Sequence, residues 1–135
     1  MQIYHLFISH SWGYSDAYEK IIKLLDNQIS SGSFNYKNYS VPQDNPIHNV
    51  PSDLALRTAI ETKMKLCSCV VILAGVYATY SKWINIEIIM AQKLGKRIIA
   101  IEPWGSDKTS AVVKNAATKI VKWNSSSIIN AIKGE

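Results

Sequence analysis

The sequence predicts an α/β fold built on a parallel sheet with helices on both faces. Two observations carry this. Short runs rich in β-branched and aromatic residues alternate with longer segments of helical spacing, five times over. The run Cys69-Val70-Val71-Ile72-Leu73-Ala74-Gly75 is apolar throughout, as a strand covered on both faces must be.

The elements follow in order. Residues 3–9 read as a first strand. His10 to Ser15 form a turn, and Ser15 or Asp16 caps a helix carrying Tyr18, Ile21, Ile22, Leu25 and Ile29, which stops near Ser30-Ser31-Gly32-Ser33. Residues 34–41 alternate loosely and read as an edge strand. Three prolines between Pro42 and Pro51 remove donors and fix φ, so that stretch is a long loop. Ser52 or Asp53 caps a second helix with Leu54, Leu56, Ile60 and Met64 turned inward. Strand three is 68–74, helix three 81–94 ending at Gly95, and strand four 96–101. Residues 103–107 are a loop, 109–117 a short helix, 119–123 strand five and 125–133 a closing helix. No linker or internal repeat divides the 135 residues, so one domain is expected.

Composition narrows the function classes. A hydrophobic content of 47% with a mean hydropathy of −0.01 fits a folded globular chain. No apolar run approaches the roughly 18 residues of a membrane span, and the N-terminus does not read as a signal peptide. Cys67 and Cys69, one residue apart, point to opposite faces of a strand, a poor geometry for a disulfide or shared metal. A reduced cytoplasmic protein is expected. The net charge is +5 and the pI about 9.2, but the lysines are dispersed, and no basic block interleaved with aromatics suggests nucleic acid. A mildly basic surface suits an anionic small molecule such as a nucleotide.

The stretch after the apolar run draws the eye to function. Trp83 and Glu87 are four residues apart and share a helix face. A carboxylate on the helix after a buried parallel strand lies where open α/β sheets bind ligands. Glu87 is about two turns in, too deep to cap the helix, although a glutamate on a helix face is more often simply solvated.

These residues resemble a known family. Phe7-Ile8-Ser9-His10-Ser11 is similar to the first box of TIR domains, and Ser81-x-Trp83-x-x-x-Glu87-Ile88 to the Trp-x-x-x-Glu motif of those that cleave NAD. Asn38 to Pro42 and Lys96 to Pro103 resemble the bacterial TIR-like branch that includes the sensor subunit of the Thoeris antiviral system. The resemblance implies a flavodoxin-like three-layer fold, its five-stranded parallel sheet in the order 2-1-3-4-5. It also implies an NAD glycohydrolase or ADP-ribosyl cyclase that makes a nucleotide signal, with NAD as substrate and no other cofactor. Self-association through TIR surfaces and an effector reached through the diffusible product are the implied partners; neither nucleic acid nor a membrane is.

On this reading Glu87 is the catalytic carboxylate. Ser9, His10 and Ser11 end strand one across the crevice from it, where backbone N–H groups and hydroxyls suit a diphosphate or ribose. Trp83 shapes the cleft or stacks on a ring, or is plain core. Phe7 and Trp12 are candidates for contact with a base, Phe7 fitting the core better. Asp44, with His48, lies on the long loop that gates the site in TIR domains. No metal ligands are expected. The alternative is a non-catalytic TIR-like interaction module. A phosphoacceptor receiver would need acidic residues where Ala74-Gly75 and Ser9-His10-Ser11 stand, and a flavodoxin would need a stronger phosphate loop than Ser9-x-Ser11-x-Gly13.

Overall fold

The computed structural model describes residues 2–9, 17–32, 34–39, 53–75, 82–102 and 110–134. Its elements are β1 Tyr4–Ile8, α1 Ala17–Ser30, β2 Tyr36–Asn38, α2 Asp53–Met64, β3 Cys69–Leu73, α3 Lys82–Lys93, β4 Arg97–Ile101, α4 Ala111–Ala116, β5 Lys119–Val121 and α5 Ser125–Lys133. All five strands pair in parallel in the order β2-β1-β3-β4-β5. The expected fold and strand order are both present.

Alternation along the central strands divides the core in two. On β3, Val70, Ile72 and Ala74 join Ile60 and Met64 of α2, Ile84, Ile88 and Ala91 of α3, and Val113 of α4. Cys69, Val71 and Leu73 turn the other way, to Ile21 and Leu25 of α1 and Ile128 and Ile132 of α5. Both faces of the sheet are therefore dry, and β3 is buried at every position. Cys67 and Cys69 belong to opposite core clusters and are free thiols, as their spacing predicts.

The helix ends explain several boundaries. α3 stops where Gly95 takes φ 69, and the Gly95 and Lys96 amides bond back to Gln92 and Ala91, the paired pattern of a left-handed helix terminus. Ser110 and Asn124 cap α4 and α5 through their side-chain oxygens, on the amides of Val113 and Ser127. Arg97, at the start of β4, donates from both Nη atoms to the carbonyls of Ala131 and Ile132, at 2.9 and 2.8 Å, tying down the last turn of α5.

The strands are shorter than the sequence suggests. β2 spans three residues, Tyr36 to Asn38 in register with Tyr4 to Leu6 of β1, and single bonds from Tyr4 to Asn35 and from Tyr39 to Leu6 close its two ends. β5 ends at Val121, and Asn124 is already committed to capping α5. The expected caps at Ser15 or Asp16, the loops 42–51 and 103–107, and the side chains of Leu54 and Leu56 lie outside the described residues. Within them, no helix is long and apolar enough to cross a membrane.

Candidate functional site

The site follows from the same alternation. Along β1, Leu6 and Ile8 face α1 and α5, while Phe7 faces α2 and α3. Ser9 continues the strand's pairing through its amide, 3.0 Å from the Val71 carbonyl. Its side chain therefore falls on the α3 side of the sheet. α3 starts beyond the C-terminal end of β3, and helical side chains lean toward the helix N-terminus. Glu87, in the second turn of α3, is thus directed at the rim where Ser9 ends β1.

Glu87 is wholly buried, at 0% exposure, amid an otherwise apolar helix face. The Trp83 indole N–H donates to its Oε2 at 3.0 Å. Among the described residues, Oε1 has no hydrogen-bond partner. Burial pushes the Glu87 carboxyl up to about 8 from the ordinary 4.5; the Ser9 hydroxyl, and after it the Trp83 indole, pull the other way without cancelling it. Ser9 is therefore near enough to favour the charged form without sitting in bonding geometry to Oε1. No charged side chain among the described residues contributes to this balance. Burial thus favours the protonated form of the resting carboxyl.

A buried acid with one oxygen tied and the other unsatisfied is costly to keep, since an unmade bond forfeits about 1–3 kcal/mol. Such groups concentrate at functional sites. Placed against a ligand, Oε1 can accept from hydroxyls, and the ionised group can stabilise positive charge.

The structure brings together Ser9, Trp83 and Glu87 of the expected set. Phe7, at 0% exposure, belongs to the same core cluster as Ile60, Met64 and Val70, the place its sequence reading favoured over contact with a base. His10, Ser11, Trp12 and Asp44 lie outside the described residues. Sequence reasoning missed Ser110, a fully buried serine whose amide bonds the Ala74 carbonyl at 2.9 Å at the end of β3. Its only sequence signal is a cap position before an apolar turn. Among the described residues, no three His, Cys, Asp or Glu side chains gather to hold a metal. A groove of about 340 Å³, lined by Lys20, Lys23, Leu24, Asn27, Gln28 and Ser125, lies on the opposite, α1/α5 side of the sheet.

Fold and site together define a flavodoxin-like α/β protein with a buried helix carboxylate at the C-terminal rim of its sheet. The family model described as Thoeris protein ThsB, TIR-like domain, matches residues 7–108, and the chain belongs to that family. Among solved structures, it is similar to the CMP N-glycosidase BcmB of Clostridium botulinum, at 15% identity and a TM-score of 0.50, over 97% of this chain and 99% of that one. At that identity the likeness concerns the fold. No curated protein matches the chain.

Proposed function

We propose that this protein cleaves the nicotinamide N-glycosidic bond of NAD and thereby makes a nucleotide signal in antiphage defence. The observation that carries the reading is Glu87, buried, held by Trp83 at one oxygen and unpartnered at the other. Membership of the Thoeris TIR-like family supports it, as does a shared fold with an enzyme whose name records cleavage of a nucleotide's glycosidic bond.

The chemistry asks little of the protein. The nicotinamide ring is cationic in NAD and leaves neutral, so no general acid is needed, in contrast to the paired carboxylates of ordinary glycosidases. The C1′–N bond breaks and its electron pair stays on the nicotinamide nitrogen. Positive charge passes to the ribose, where one carboxylate can hold the hydroxyls and stabilise the oxocarbenium ion. Water then attacks C1′ and loses a proton, or a nitrogen of the same nucleotide attacks it and closes a ring. Glu87 must be ionised for this, and the cationic ring entering a dry site favours that form.

The full burial of Glu87 favours a second reading, in which the domain is a signalling module whose pocket stays shut. One assay separates the two. NAD is incubated with concentrated protein, with and without lysate from phage-infected cells, and nicotinamide is quantified by chromatography. The enzyme reading expects release by wild type and none by Glu87→Gln. Equal release by both, or no release from wild type under either condition, overturns it.

A further inference from the structure

We propose that Trp83 is a positioning residue, its indole N–H pinning Oε2 of Glu87 so that Oε1 is the oxygen presented to the ribose. This rests on the NAD-cleaving reading above.

The argument starts from the symmetry of a carboxyl group. Its two oxygens exchange by rotation about the terminal torsion, which is broad and roughly two-fold. Around them the enclosure is apolar but for the Ser9 hydroxyl, which favours the charged form without bonding geometry to Oε1. Here the bond of 3.0 Å from Nε1 to Oε2 breaks the symmetry. Oε2 has its donor, and Oε1, which lacks one, is the atom with unmet demand.

Packing alone does not call for an indole. Trp83 is half-buried at the margin of the α2/α3/α4 core, and its hydrocarbon contacts there could be made by a phenylalanine. What phenylalanine lacks is the donor. The i,i+4 spacing on α3 delivers that donor along the helix, so the geometry depends on no element but α3. An indole held edge-on to the carboxyl by this bond is also not at liberty to reorient and stack flat on a ligand base.

The test replaces Trp83 by 3-benzothienylalanine, which keeps the ring outline and exchanges the N–H for sulfur. The control is 5-fluorotryptophan, which keeps both. Two quantities are read. One is the midpoint at which the protonated carboxyl stretch of Glu87 disappears from the infrared spectrum with rising pH, the band being assigned by its loss in Glu87→Gln. The other is kcat and KM for NAD. Loss of the donor is expected to raise the midpoint and lower kcat about tenfold with KM little changed, as for a bond to a charged group that matters most in the transition state. Fluorotryptophan is expected to restore both. A midpoint equal to wild type, or a kcat within twofold of it, overturns the proposal. Should wild type cleave no NAD at all, the enzyme reading fails, and the midpoint, measured without substrate, still decides whether Trp83 holds Glu87.

Discussion

Two glutamates near the C-terminal rim of the sheet have opposite fates. Glu102 follows β4 and has both oxygens engaged, Oε1 by Lys122 at 2.8 Å and Oε2 by Lys114 at 3.2 Å. Hydrogen bonds from Lys122 and Lys114 hold its carboxyl below the usual range. Among the described residues, Glu87 has no cation, only the Trp83 indole and the Ser9 hydroxyl to favour its charged form, and an Oε1 left unbonded, and burial raises it to about 8. The lysine pair makes Glu102 an ordinary structural charge that ties β4, α4 and the end of β5 together. The isolation of Glu87 has no structural benefit to match its cost. That asymmetry is how a site differs from a brace when both are built from the same side chain.

The largest test of the contrast is activity. Glu87→Ala or Glu87→Gln is expected to cut nicotinamide release by at least about 100-fold, while Glu102→Gln leaves it within about twofold, both measured by chromatography of NAD digests with folding checked by circular dichroism. A comparable loss in the two would dissolve the distinction.

Next in size is pH. Burial pushes the Glu87 carboxyl up to about 8, so on the NAD-cleaving reading kcat/KM should climb about tenfold per unit below that value and level off above it. A rate profile flat from pH 6 to 9 counts against Glu87 as the ionised group.

Stability should respond with the opposite sign. Below about 4.5 the carboxyl is protonated in folded and unfolded chains alike. Between there and about 8 the unfolded chain ionises while the folded one keeps its proton, so stability contributed by the neutral group drains away as pH rises. Glu87→Gln is free of this drain. Its advantage over wild type should grow by roughly 2–4 kcal/mol between pH 5 and 9 in urea titrations; a constant gap would mean that Glu87 is not buried as an acid.

The smallest effect falls on the brace. Lys122 is well exposed, and Lys122→Met should cost less than about 1 kcal/mol at neutral pH by the same titration.

Much of this was legible in the residues because the parallel sheet leaves a plain record. β3 is buried at every position and reads so, and α5 is bounded as expected by Ser125 and Lys133. The Trp83–Glu87 pair is visible from spacing, and Ser9 from its place at the end of β1. Less legible was whatever depends on neighbours far along the chain. Phe7 carries the same aromatic signal whether it faces a ligand or a core, and its partners in the core cluster, Ile60, Met64 and Val70, come from elements far along the chain. The idle Oε1 belongs in the same class: sequence gives the carboxylate, while its enclosure is assembled by elements many residues away. The three-residue length of β2 likewise depends on how much of β1 is free to pair.

The alternation that turns Ser9 toward α3 also makes the chain intolerant of length changes in one place. Deleting or inserting a single residue between Leu6 and Ser9 would reverse every side chain beyond it. An insertion would set Ile8 against the carboxyl, and a deletion would carry the serine hydroxyl into the α1/α5 core. Two residues would restore the facing but carry the rim about 6–7 Å along the strand, out of reach of Glu87. In related chains the count from Phe7 to Ser9 is therefore expected to be fixed by parity.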